Sequence, residues 1–185
     1  MKNAEEEKIN EISARFTPDC DLEDETFKGL ELIGTNLQRG KIIDCVFEDC
    51  VLNAVDLKDT NLQASFINCK IQGINFFTAK RTFLSLKFDR CLIRYSSFAE
   101  LTLSSTSFEN CTLEHVDFAD AKLASAKFNG ATFNECVFKN SDLSKADFRN
   151  ARGYQIDPTL NKLTKARFDL PEAISLLAGF NIRLD

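Results

Sequence analysis

The residues best equipped for chemistry in this chain of 185 are seven cysteines: Cys20, Cys45, Cys50, Cys69, Cys91, Cys111 and Cys136. A thiolate is a metal ligand, a nucleophile or half of a disulfide, so a regular set of thiols invites all three readings. Their number is odd, no CxxC pair occurs, and only one histidine accompanies them, so spacing suggests neither a disulfide framework nor a zinc site. What recurs is place. Each cysteine stands two residues before a Leu, Ile or Phe, as in "CVFEDCVL", where Ala, Ser, Thr or Val stands elsewhere. That pattern favours buried small hydrophobes in a reducing compartment over a metal or redox ladder.

The other candidates are charged. Asp56, Asp59, Glu100, Asp117 and Asp120 form a candidate acidic face, suited to a basic groove on a partner. Phe77, Lys80, Arg81, Lys87, Arg90, Arg94 and Tyr95 form a candidate basic and aromatic patch, a mixture that holds acidic partners. Glu114 and His115 are adjacent, but no Ser or Cys nucleophile has an oriented base and no Gly-rich phosphate loop occurs. No catalytic residue, cofactor or metal is therefore expected. A net charge of −5 makes direct nucleic-acid binding unexpected, and the longest apolar run, "AISLLAGF", is too short to cross a bilayer. The expectation is a cytoplasmic protein that touches no membrane.

The elements that must position these residues have an unusual period. From residue 111 the chain reads CTLEH VDFAD AKLAS AKFNG ATFNE CVFKN SDLSK ADFRN, with Leu or Phe at every third place of each five. Neither a helix, with spacings of three and four, nor a strand, with spacing two, explains this. A chain turning a corner every five residues does, burying the central residue and the one two before it. Four pentads closing one square coil would stack residues twenty apart. Phe27, Phe47, Phe66, Phe88, Phe108, Phe128 and Phe148 then form one column, and Leu37, Leu57, Phe76, Phe98, Phe118 and Phe138 the opposite one. The register slips by one residue before Phe66 and is irregular through "TAKRT", resuming at Phe83.

The fold expected is an all-β solenoid of about seven coils with short helical caps. Residues 1–18 are read as an N-terminal cap with Ile9, Ile12 and Phe16 on one face, residues 19–153 as the β-helix, and residues 154–185 as a capping or dimerisation segment. Pro171 is expected to open a helix through "EAISLL" that Gly179 closes. Leu170, Ile174, Leu177, Phe180 and Ile182 are the candidate dimer residues.

The repeat [A/C/S/T/V]-x-[L/F]-x-x, as in "AKFNG" and "ADFRN", resembles that of the bacterial pentapeptide repeat family. The resemblance covers about residues 20–152 and implies a right-handed quadrilateral β-helix, often dimeric through a C-terminal segment to which "FDLPEAISLLAGFNIRLD" is similar. It is distantly similar to the quinolone-resistance members, which mimic B-form DNA and bind type II topoisomerases. The function expected is a non-catalytic surface for an unidentified protein partner, presented by a homodimer. The alternative is a DNA-mimicking modulator of DNA gyrase or topoisomerase IV.

Overall fold

The computed structural model describes residues 9, 11–180 and 182, with all of their side chains except that of Phe83. The expectation that Phe83 points inward lies outside the described residues, as does the part of the N-terminal cap before residue 9. Twelve short strands follow in order: β1 (Asp21–Glu23), β2 (Thr26–Lys28), β3 (Glu31–Ile33), β4 (Lys41–Glu48), β5 (Val51–Asn53), β6 (Asn61–Ile67), β7 (Lys70–Gln72), β8 (Ser85–Asp89), β9 (Leu92–Arg94), β10 (Ser107–Glu109), β11 (Thr112–Glu114) and β12 (Thr132–Asn134). They form two sheets, one ordered β1-β4-β6-β8-β10 with β2 also on β4, the other β3-β5-β7-β9-β11-β12. Every pairing is parallel and joins one coil to the next, as Phe27 to Phe47 and Phe88 to Phe108. The molecule is a parallel β-solenoid.

Corners explain the period of five. The second residue after most inner residues takes a left-handed conformation, with φ of 54° at Asp24, 56° at Asp49, 58° at Asp120 and 56° at Asn140. Asp, Asn and Gly tolerate that region best, and they occupy many of these corners. The backbone N–H of a corner residue then donates to the next coil, as from Asp120 to the Lys139 carbonyl at 2.8 Å.

The inner columns are as the sequence implies. Rings of Phe47 and Phe66 stack at 5.2 Å, Phe88 and Phe108 at 5.1 Å, and Phe98 and Phe118 at 5.4 Å, while the two columns meet edge to face, Phe108 against Phe118 at 5.5 Å. Offset and edge contacts of this kind add about 0.5–1.5 kcal/mol each beyond area burial. Phe16 is buried at the N-terminal end, its ring 4.9 Å from Phe27, with Ile9 and Ile12 packed against the same core.

Two irregularities compensate. Ile42 faces Leu62 but Cys45 faces Ala64, so the missing residue is absorbed as a bulge where β4 meets β6. The surplus in the next coil is taken up by two 3₁₀ turns, Phe76–Thr78 and Arg81–Phe83, after which Ser85 pairs with Gln63.

The second sheet stacks six strands, so the regular solenoid has about six turns rather than the seven expected. Beyond β12 the sides of the coil shorten to single bridging pairs, such as Asp142 with Lys162 and Asp147 with Arg167. These carry the coiling past residue 153, and Phe168 stacks on Phe148 at 5.1 Å. The C-terminal helix is wound as 3₁₀ over Glu172–Phe180 rather than as an α-helix. Glu172 accepts the Gly153 N–H at 2.6 Å at one end, and Gly179 lies against Asp157 and Pro158 at the other. Nine residues wound as 3₁₀ reach about 18 Å, against about 14 Å for an α-helix, which suits a segment that runs from its bond at Gly153 to its contact beside Asp157.

Ion pairs follow the coil spacing, as Lys41 with Asp21 and Lys162 with Asp142, both at 3.0 Å. Asp147 is the most strongly held: Arg149 donates Nε and Nη2 to it at 2.9 and 2.7 Å, which lowers its pKa to about 2. A carboxyl depressed in the folded state stabilises it above the unfolded pKa of about 4, and that contribution fades as pH falls through about 2. After allowance for solvent screening the contribution is about 1 kcal/mol. Asp147→Asn should therefore lower the urea midpoint at pH 7 and make much less difference at pH 2; equal losses at both would show that the charge is irrelevant.

Candidate functional site

The cysteines are sealed. Six are buried, and Cys136 is half-buried. Several of the thiols turn toward carbonyl oxygens of inner residues one coil back: Cys50 Sγ donates to Phe27 O at 3.5 Å, Cys69 to Phe47 O at 3.3 Å, Cys91 to Phe66 O at 3.3 Å and Cys136 to Leu113 O at 3.2 Å. Thr60, Ser141 and Asn161 make the same bond from the same place, to Leu37, Phe118 and Phe138 at 2.6, 2.9 and 3.0 Å. Where it carries Cys, Ser, Thr or Asn, the position two before an inner residue is thus a donor site, a role that the spacing alone did not reveal. Cys91, beside the Cys111 thiol and buried, is pushed up to about 12, and Cys50, beside Cys69, is also raised. Burial likewise raises Cys20, Cys45 and Cys136. Protonated thiols spent on backbone oxygens are poor nucleophiles and poor ligands. Among the described residues no group of three or more His, Cys, Asp or Glu is placed to hold a metal ion.

The candidate acidic face is brought together. Asp117 stacks on Ser97, Asp56 on Asn36, and Asp59, Glu100 and Asp120 occupy corners with φ of 57°, 59° and 58°. Asp56 accepts from Gln38 Nε2 at 2.6 Å and from the Lys58 N–H at 3.0 Å, which lowers its pKa. Asp117 accepts the Ala119 N–H at 2.9 Å, and Glu100 takes Arg81 at 3.0 Å. Among the described residues Asp59 and Asp120 accept no hydrogen bond and pair with no cation, so their charge is presented to solvent.

The candidate basic and aromatic patch is not brought together. Five residues carry the chain to a new face, so the stretch from Phe77 to Tyr95 wraps around the rod. Lys87 lies on β8 and Arg90 just beyond it, on the first sheet, whereas Arg94 ends β9 on the second sheet with Tyr95 at the corner after it. Phe77, 41% exposed, belongs to the 3₁₀ turn beside the acidic face, with Lys80 and Arg81 following. The three arginines are partly neutralised: Arg81 by Glu100, Arg90 by Asp89 at 2.7 Å, and Arg94 by Glu114 at 2.7 Å. Glu114 and His115 do not act as a pair either. His115 turns to Glu135 at 3.2 Å and stacks on Tyr95, ring centroids 4.7 Å apart.

At the C-terminal end Leu170, Ile174, Phe180 and Ile182 are exposed and Leu177 is half-buried. A groove of about 520 Å³ runs between this segment and Asn150–Arg152, but its carboxylates are engaged, Asp169 with the Asn150 N–H at 2.8 Å and Glu172 with Gly153. An apolar cavity of about 10 Å³ among Leu37, Leu57, Phe66 and Phe76 lies wholly inside.

Profiles for pentapeptide repeats match residues 31–65, described as "Pentapeptide repeats (8 copies)", and residues 79–148, described as "Pentapeptide repeat region", together more than half of the chain. The chain belongs to the pentapeptide repeat family. Among solved structures, one trypsin-treated variant of QnrB1, "a plasmid-mediated fluoroquinolone resistance protein", is 21% identical with a TM-score of 0.55, covering 92% of each chain. A second trypsin-treated QnrB1 variant is 20% identical with a TM-score of 0.50, again covering 92% of each. At that identity the likeness concerns the fold. No curated protein matches this pentapeptide repeat protein by sequence.

Proposed function

We propose that this pentapeptide repeat protein is non-catalytic and works in the cytoplasm by presenting a rigid outer surface to a protein partner. One observation supports this reading above others: the reactive side chains are sealed or paired, while Asp59 and Asp120 stand at corners of one face with their charge outward. A rigid solenoid offers such an array at little ordering cost, and negative charge in register suits a basic groove. The narrower reading is a DNA-mimicking modulator of DNA gyrase or topoisomerase IV, favoured by that face and by a shape shared with QnrB1. The exposed apolar side chains Leu170, Ile174, Phe180 and Ile182 are the surface for a C-terminal homodimer.

The test compares wild type with a variant carrying Asp56→Asn, Asp59→Asn, Glu100→Gln, Asp117→Asn and Asp120→Asn, in capture from the host lysate and in a gyrase supercoiling assay with and without a quinolone. The expected result is a specific partner held by wild type and lost from the folded variant, with supercoiling changed if the narrower reading holds. Capture profiles identical for the two proteins would overturn the assignment to this face.

A further inference from the structure

A different face carries a charge pattern with its own symmetry. Eight levels stack along it: residues 21–24, 41–44, 61–64, 80–85, 102–105, 122–125, 142–145 and 162–165. Backbone pairing fixes that order, Asp21 with Lys41, Lys41 with Asn61, the Lys80 N–H on Thr60, and Thr102 with Lys122, Asp142 and Lys162 in succession. Its first column reads Asp21, Lys41, Asn61, Lys80, Thr102, Lys122, Asp142, Lys162. Its corner column reads Asp24, Asp44, Ala64, then Ser105, Ser125, Lys145, Lys165. Asp24, Asp44, Lys145 and Lys165 share one backbone conformation, with φ of 54°, 52°, 61° and 60°, so their side chains leave the corner in the same direction. All four are exposed, and among the described residues none has an ion-pair partner within its own copy.

Consider a second copy turned about a twofold axis lying in the plane of this face and crossing the rod between the fourth and fifth levels. Each column then meets itself reversed. Asp24 faces Lys165 and Asp44 faces Lys145, while Asp21 faces Lys162 and Lys41 faces Asp142, where each copy's own ion pairs, both at 3.0 Å, come to lie against each other. All four positions are opposite in sign, and each contact occurs twice, as a twofold interface requires. A shift of one level places Asp21 against Asp142 and Lys41 against Lys122, like against like, and of the corner contacts keeps Asp24 against Lys145 alone, which favours the unshifted register. The surplus residues of the irregular level, 80–85, fall opposite Thr102, Ser104 and Ser105, the small side chains best able to receive them.

We infer that this face pairs two copies of the chain antiparallel. It goes beyond the partner-binding reading and uses neither the acidic face nor the C-terminal segment. Eight levels at about 4.8 Å and four residues at about 3.3 Å give a face of about 500 Å² per copy, or about 1,000 Å² in all, near the lower limit for a specific interface. Charge therefore decides the outcome, and the pairing weakens as salt rises.

A water-soluble carbodiimide tests this on the full-length protein, because it condenses a carboxylate with an amine to an amide, with loss of water, and leaves no spacer. Within one copy Asp24 and Lys165 are seven levels apart, about 34 Å, and Asp44 and Lys145 five levels, about 24 Å, so a direct link between either pair forms only between copies. Mass spectrometry should find Asp24–Lys165 and Asp44–Lys145 links at about 20 mM salt, greatly reduced at about 500 mM. Links confined to neighbours such as Lys41–Asp21 would overturn the proposal. Sedimentation gives an independent reading. Asp24→Lys with Asp44→Lys, and Lys145→Glu with Lys165→Glu, should each abolish the salt-sensitive dimer alone and restore it when mixed. Association that ignores both reversals, or a mixture that does not recover, would place any contact elsewhere and overturn the proposal.

Discussion

Phe108→Ala should cost about 3–5 kcal/mol, because a large ring leaves a site that its neighbours cannot refill. Phe108 is fully buried, stacked between Phe88 at 5.1 Å and Phe128 at 5.2 Å and edge-on to Phe98 and Phe118 at 5.4 and 5.5 Å. Those four rings are held in place by backbone ladders above and below, so collapse into the void is resisted from every side. In a stack where each coil touches only its neighbours, the loss also weakens the coupling between the two halves. Urea denaturation should show a lower midpoint and, if the halves uncouple, a shallower transition. Phe77→Ala is the internal control: that ring is 41% exposed and outside the columns, so its loss should cost well under about 1 kcal/mol. Equal costs at the two positions would contradict the division between inner and outer residues.

Gly153→Ala should be nearly as damaging for a different reason. Gly153 has φ of 74°, and a Cβ placed on it would collide with the Phe133 carbonyl oxygen, which belongs to the β12 backbone and cannot swing away. The same residue gives its N–H to Glu172, so it joins the solenoid to the C-terminal segment. The expected loss is about 2–4 kcal/mol, with release of the C-terminal segment seen as early proteolysis beyond residue 153. Gly34→Ala separates conformation from collision: its φ is 61° with nothing within 4 Å of the added carbon, so only the left-handed penalty of about 1 kcal/mol applies. Similar losses at both would mean that the close approach to Phe133 carries no weight.

How much of this was legible in the sequence depends on how far a feature follows the count of five. The Phe columns, the bulge before Phe66 and the irregular turn after Phe76 all follow from counting, because an inner position tolerates little but a large apolar side chain. Phe168 follows the same rule, twenty after Phe148, but "GYQIDPTLNK" breaks the rhythm between them and hides it. The dispersal of Lys87, Arg90 and Arg94 over different sheets was also countable; nearness in sequence suggested a patch that a square coil takes apart. Less legible was what a donor does two places before an inner residue, since Cys, Ser and Thr there look like filler until their carbonyl partners one coil back are seen. The 3₁₀ winding of Glu172–Phe180 was not legible at all, because its contacts lie far back in the chain, at Gly153 for Glu172 and beside Asp157 and Pro158 for Gly179.

The central claim is that this protein keeps its chemistry-bearing residues as packing and leaves function to the outer surface. Counting thiols with a soluble disulfide reagent, native and then in denaturant, tests it most directly. In the folded protein at neutral pH at most Cys136 should react, and slowly, while all seven should react once the coils are unfolded. Rapid native labelling of four or more would contradict the claim and return the cysteine ladder to the list of functional sites.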